Sequence, residues 1–181
     1  MAFRSALGAL SVVVLVVACR GGNDSPSPTT DASTPAGLGS GIQGAWSIAD
    51  YKSANGTSST NPPGLFLFSS TRYSIIYSNQ ASARPTFADA DAPTDPEKLS
   101  AFDTFIANSG SYELVGDTLT VHPVISKNPN YMGGGEDRFA VRISGDTLWL
   151  TNIAGAFRWA GGKASSNTTT AVDNFKLVRV R

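Results

Sequence analysis

Gly44-Ala45-Trp46-Ser47-Ile48-Ala49-Asp50-Tyr51 is the stretch on which the fold turns. Up to residue 43 the chain is a leader followed by a low-complexity segment; after it, short alternating apolar segments are separated by turn residues, the pattern of an antiparallel sheet. A glycine, a spacer and a tryptophan opening the first strand point to one closed barrel organised around that indole. Trp46, Ile48 and Asp50 share one face of this strand at the period of two.

Working towards the C-terminus, the loop Gly56 to Gly64 ends that strand. Leu65–Phe68 and Arg72–Ser78 then read as a hairpin rich in Phe, Tyr and Ile. Residues 84–89 carry no period and read as a loop. Thr94-Asp95-Pro96-Glu97 has the makings of a helix start, with Thr94 as cap and Glu97 at the capping-box position, and Leu99, Phe102 and Ile106 recur at helical spacing. One helix over about 95–107 is therefore expected to pack on the sheet.

The internal repeat is clearer still. Gly116-Asp117-Thr118-Leu119 and Gly145-Asp146-Thr147-Leu148 are the same turn, and Gly and Asp tolerate the positive φ of tight hairpins. Two hairpins in series, Ser111–Val115 with Thr118–Ile125 and Arg138–Ser144 with Thr147–Asn152, make a meander. Lys127–Asp137, with Gly133-Gly134-Gly135, reads as a loop or rim, Gly155–Trp159 as a possible short strand and Ala164–Ala171 as a polar loop. Asn174–Val180 closes the series. The predicted architecture is all-β: an up-and-down antiparallel barrel of about eight strands with one short helix, the number at which an interior just fills or holds one small ligand.

Upstream, Met1-Ala2-Phe3-Arg4 gives a positive start and Leu7 to Ala18 an apolar run, too short for a bilayer and of the length of a signal-peptide core. The run ends in Val16-Val17-Ala18-Cys19, which resembles the lipobox of bacterial lipoproteins, with Val17 bulkier than is usual there. That resemblance implies cleavage before Cys19, acylation of Cys19, and a place in the bacterial cell envelope, on the periplasmic or surface face of the outer membrane. Residues 20–41 are mostly Gly, Ser, Pro, Thr, Asp and Ala and read as a disordered tether. The expected organisation is thus a signal peptide over 1–18, a lipidated cysteine and tether over 19–43, and a barrel domain over 44–181.

Composition removes several function classes. Charged residues are 15% of the chain, and Lys plus Arg balances Asp plus Glu at 14 each. No basic field exists to hold a phosphate backbone, so no nucleic-acid partner is expected. One histidine and one cysteine cannot build a zinc cluster, and no metal or cofactor is called for. Gly133-Gly134-Gly135 lacks the lysine of a phosphate loop.

The pieces together resemble a known family. Gly44-Ala45-Trp46 is similar to the Gly-x-Trp signature of lipocalins. The ordered series Pro63-Gly64-Leu65, Arg84-Pro85-Thr86-Phe87, Pro96-Glu97, Gly110-Ser111-Tyr112-Glu113, Thr120-Val121-His122, Asn128-Pro129, Arg138 and Gly145-Asp146-Thr147-Leu148 resembles the small bacterial and fungal lipocalin-like domains over most of residues 44–150. The resemblance implies that Trp46 packs across a closed barrel end against a basic residue of the last strand, Arg179 or Arg181. It also implies a cavity for a small hydrophobic or amphipathic molecule, with some relatives acting as isomerases or cyclases.

Candidate site residues follow from both readings. His122, with Tyr112 or Arg84, would supply a general base if it faced the interior, but Leu119, Val121 and Ile125 take the core face of that strand unless a bulge at Pro123 shifts it. Arg84, Tyr112, His122 and Arg138 are candidates for a polar ligand-binding cluster inside the cup. Arg138 and Arg142 would hold a ligand carboxylate if their strand face were turned inward, and would be ordinary surface charges otherwise. Phe66 and Tyr73 are core residues that would double as pocket wall. The function read from the sequence is a monomeric, membrane-anchored protein that binds a small apolar ligand, the alternatives being an isomerase or cyclase using His122 and a non-catalytic envelope interaction module.

Overall fold

In the computed structural model the described residues are 38–80, 82–165 and 172–181. The leader, Cys19 and the tether up to residue 37 lie outside them. The elements in chain order are α1 (Leu38–Ile42), β1 (Gly44–Lys52), β2 (Ser58–Thr60), β3 (Gly64–Phe68), β4 (Arg72–Ser78), α2 (Asp95–Asp103), β5 (Phe105–Val115), β6 (Thr118–Ser126), β7 (Asp137–Ser144), β8 (Thr147–Asn152), β9 (Arg158–Trp159), β10 (Lys163–Ala164) and β11 (Asn174–Arg179). Strand neighbours run β1-β3-β4-β5-β6-β7-β8-β11, and β11 pairs back onto β1 from Trp46↔Arg179 to Lys52↔Asn174. This is a closed, eight-stranded, up-and-down antiparallel barrel, which fits a lipocalin-like fold. Closure leaves no unpaired edge among the staves.

Alternation decides what fills the barrel. On β7 Phe139 and Val141 are buried while Arg138, Ala140 and Arg142 are exposed, and on β11 Phe175 and Leu177 are buried around an exposed Lys176. Apolar side chains thus face in and charged ones face out, the reverse of a membrane-spanning barrel. The core runs from Trp46 and Leu177 through Phe66, Leu119 and Leu148 to Tyr77 and Phe175.

Two bulges adjust this pattern. The β1–β11 register shifts between Ile48 and Asp50, so the inward series is Trp46, Ile48, Tyr51. Asp50, expected on the inner face, instead lies outside and pairs with Lys176 at 3.7 Å. A shift on β6 sets Gly110 opposite Pro123 but Ser109 opposite Ile125, the extra residue being Val124, so Ile125, expected in the core, is exposed. Gly110 is required there: a Cβ would lie 2.0 Å from the His122 carbonyl oxygen.

The helix is shorter and more exposed than its periodicity suggests. Glu97 accepts from the Thr94 backbone N–H at 2.8 Å, as a capping box should, but α2 stops at Asp103 and buries nothing. Phe105 and Ile106 belong to β5, whose pairing with β4 outcompetes another helical turn. Leu99 and Phe102 are left 61% and 51% exposed. Two short strands were not expected: β2, which lengthens the sheet beside β1 through Tyr51↔Ser59, and β10, which pairs with β9 at the end of the expected Gly155–Trp159 strand in a ribbon apart from the barrel.

Candidate functional site

The two barrel ends are built differently. Connections 69–71, 116–117 and 145–146 lie at one end with the start of β1 and the finish of β11; the described parts of 53–63, 79–104, 127–136 and 153–173 lie at the other. Short Gly-Asp turns shut the first end, and long segments surround the second.

At the closed end Trp46 is fully buried and donates its indole N–H to the Ile42 carbonyl at 2.7 Å. The guanidinium of Arg179 lies over the indole with its carbon 4.1 Å from the ring centroid. It donates to the carbonyls of Gly41 at 2.8 Å and Gln43 at 2.7 Å and faces Asp146 at 3.7 Å. Stacking of this kind contributes roughly 0.5–2 kcal/mol, and the carbonyl bonds fix α1 as a plug beneath the barrel. Gly44 has φ +125°, and a Cβ there would meet Arg179 Nη1 at 2.6 Å, which is a physical reason for a glycine two residues before the tryptophan. Arg181 does not take this place but pairs with Asp146. The clasp also makes residues 38–43 part of the folded body, whereas the sequence assigned them to the tether: Ile42 is wholly buried.

At the open end lies a cavity of about 430 Å³, within the usual range of small-molecule sites. Its floor is apolar, formed by Phe66, Val121, Phe139 and Phe175, with Tyr77 on the wall. Phe175 is the hub of that wall: Tyr51 stacks on it at 4.9 Å, and Tyr77 and Phe66 meet it at 5.3 and 5.1 Å. Over the mouth stand Tyr131, Phe157 and Trp159, in series at 4.9 and 4.7 Å. They come from two different connections, held together by backbone bonds between Glu136 and Arg158 and from Gly161 N–H to the Gly133 carbonyl. The triple glycine is thus a folded part of the rim; a Cβ at Gly135 would lie 2.2 Å from the Tyr131 carbonyl oxygen.

The polar side chains bordering the cavity include the acids Asp137 and Asp173, the amides Asn108, Asn128 and Asn152, and Lys127. Asp137 is the inward residue at the start of β7; it accepts from the Arg138 backbone N–H and from the Asn152 side chain, each at 2.8 Å. Burial pushes its carboxyl up to about 7, against the pull of those two bonds, and the charges of Asp173 and Glu136 add to the rise. Asp173 accepts from Ala54 N–H at 2.7 Å, and burial raises its carboxyl as well. Neither carboxylate is in an ion pair among the described residues. Lys127, a basic side chain at this rim, donates to the Phe102 carbonyl at 2.6 Å and covers the Phe102 ring at 4.2 Å. Among the described residues no three His, Cys, Asp or Glu side chains come together to hold a metal.

The residues singled out from the sequence are dispersed. Phe66 lines the cavity. Tyr73 is buried beneath it, its hydroxyl without a hydrogen-bond partner and within electrostatic reach of Asp137. Tyr112 points to the closed end, where its hydroxyl donates to the Ser69 carbonyl at 2.6 Å. His122 alternates with buried Leu119, Val121 and Pro123 and stands on the outer wall, because the bulge comes after it rather than before. Arg84 sits outside, donating to the Ala101 carbonyl and lying over Phe105 at 5.0 Å. Arg138 pairs outside with Glu136 at 2.9 Å, and Arg142 stacks on Trp149. The polar cluster of His122, Tyr112, Arg84 and Arg138 does not form.

The groups that sequence reasoning missed are Asp137 and Asp173. The signal was present: Asp137 is in phase with Phe139 and Val141, and Asp173 with Phe175 and Leu177. Each acid simply sits one step beyond the apolar run, where it reads as loop.

No protein-family model and no curated protein matches the chain. Among the solved structures similar to it are two from Bacteroides. One is a lipocalin-like protein from Bacteroides uniformis, with 16% identity and a TM-score of 0.41 over 77% of this chain and 98% of that one. The other is an uncharacterized protein from Bacteroides eggerthii, with 9% identity and a TM-score of 0.40 over 76% of this chain and 98% of that one.

Proposed function

We propose that the protein binds a small amphipathic molecule non-covalently in the open-end cavity, and that an acylated Cys19 tethers the barrel to the bacterial envelope. The cavity carries the first part of this reading: an apolar floor under a polar rim, open at one end of a barrel whose other end is plugged. The Val-Val-Ala-Cys stretch carries the second. Several acyl chains on one cysteine hold a protein on a bilayer, each buried methylene contributing about 0.8 kcal/mol, and the stretch from 20 to 37, about 18 residues, would reach roughly 23 Å as a random coil.

Titration of the full chain with the neutral dye Nile red tests the binding function. One dye should bind per chain with a fluorescence gain, and Asn108→Trp, which fills the rim from a side chain whose oxygen has no partner, should abolish it. Dye binding that survives that substitution would remove the cavity from the account. For the anchor, wild-type protein should partition with membranes and Cys19→Ala should not; equal partitioning contradicts it. A docking module remains a second reading on one observation, the exposed and adjacent Leu65, Leu67 and Ile76 on the outer wall. Dye displaced by Leu65→Glu rather than by Asn108→Trp would favour it.

A further inference from the structure

Resting on the binding function above, we propose that the cavity's ligand is an amphiphile with a protonated primary amine, its tail on the aromatic floor and its ammonium between Asp137 and Asp173. Three observations converge. The first is charge: two carboxylates border the cavity, no described cation is paired with either, and basic side chains at the rim are engaged elsewhere, Lys127 with Phe102 and Arg158 with the carbonyls of Gly155 and Phe157. Carboxylates brought together without a counter-ion cost stability, and an incoming cation removes that cost.

The second is unmet hydrogen bonding. Asn108 Oδ1 borders the cavity and accepts from nothing, and the hydroxyl of buried Tyr73, within electrostatic reach of Asp137, is unpartnered too. Among the described residues the acids accept from Arg138 N–H, Asn152 Nδ2, Ala54 N–H and, at 3.5 Å, the Tyr51 hydroxyl, fewer donors than the two carboxylates have lone pairs. A surplus of acceptors suits a head group made of N–H donors, which an alkylammonium supplies threefold. The third is the wall. Tyr77, Phe175 and Phe66 present aromatic surface beside the acids, a setting that favours cations as well as apolar tails. An anionic ligand, the kind that inward arginines would have held, meets like charge instead.

The charge state of the site adds a coupling. Asp137, raised to about 7 by burial, is partly protonated at neutral pH. Around it stand Glu136 and Arg138 on its own strand end, Asp173, the neutral phenols of Tyr73, Tyr77 and Tyr131, and Lys127 at the rim. Binding an ammonium favours the ionised carboxylate, so uptake releases a proton and affinity rises with pH through 7.

The test is competition against Nile red on the full chain with three probes of equal length: octylamine, 1-octanol and octanoate. Octylamine should bind at least about tenfold more tightly than octanol at pH 8, with octanoate weakest, and its advantage should shrink at pH 5.5 while octanol affinity stays level. Asp173→Asn and Asp137→Asn should each lower the octylamine-to-octanol ratio, and Arg142→Ala on the outer wall should leave it unchanged. Equal affinities, an octanoate preference, or a ratio indifferent to both substitutions and to pH overturns the amine assignment alone. Failure of all three probes and of the dye overturns the binding function with it. The pH series uses wild-type protein, so it decides the matter even if an Asp137 variant fails to fold.

Discussion

At the closed end, turns of two or three residues leave Arg179 clasped by two carbonyls, an indole and Asp146, and the Trp46 indole N–H is satisfied. At the open end, residues of 127–136 and 153–173 with Ala54 border a cavity, and Asn108, whose buried oxygen has no partner, lines it. The same β11 strand serves both: Asp173 begins its inward series and Arg179 ends it. A barrel whose contacts are satisfied at one end can leave an unsatisfied group at the other, within reach of the proposed ligand. The contrast divides stability from binding, and it can be broken end by end.

The largest effect is expected from Trp46→Ala, which empties the plug and should cost about 4 kcal/mol in urea unfolding. Arg179→Met should cost about 2 kcal/mol by releasing the Gly41 and Gln43 carbonyls, and Gly44→Ala should produce a similar loss through its positive φ and the blocked guanidinium. Closed-end variants that fold should bind Nile red as the parent does. A large affinity change without a stability change would erase the division.

Asp137 gives the open end a pH signature. In the unfolded chain its carboxyl ionises near 4, whereas in the fold it keeps its proton until about 7. Between those values the unfolded state binds fewer protons, so unliganded protein loses stability as pH rises and loses no more from this group above 7. The loss should be about 2 kcal/mol, below the full burial penalty because the cavity opens to solvent. Asp137→Asn should flatten the slope; a wild-type slope of opposite sign would contradict the inward placement.

Smaller effects belong to the rim and the outer wall. Phe157→Ala removes the ring between Tyr131 and Trp159 and should cost about 1 kcal/mol, while ligand dissociation in stopped-flow quickens several-fold. His122→Ala should change stability by less than about 0.5 kcal/mol and leave dye binding unaltered. A marked loss of binding in that variant would return His122 to the site.

Closed-end features were legible in the sequence because they are local or periodic. Gly-x-Trp, the repeated Gly-Asp-Thr-Leu turn and the alternation of Phe175, Leu177 and Arg179 all declare themselves within a few residues. The cavity was not, since it is assembled from connections far apart in the chain: Asn128 and Tyr131 from one, Phe157 and Trp159 from another, Asp173 from the last residues before β11. Bulges did the remaining damage to the reading. A single extra residue at Ile48/Asp50 exchanges Tyr51 for Asp50 on the inner face, which no count of alternation from Trp46 could anticipate. Helical spacing at Leu99, Phe102 and Ile106 misled for a different reason, because pairing of Phe105 and Ile106 with β4 claims the last turn.

The most direct test of a plugged end and a receiving end is amide NMR of the full chain on addition of 1-octanol, whose neutrality makes the outcome independent of the charge assignment. Shifts should concentrate at Asn108, Ser126, Asn128, Tyr131, Asn152 and Asp173, with Gly44, Gly116 and Gly145 unmoved. Shifts centred on those three glycines, or on the outer wall around His122, would contradict the account.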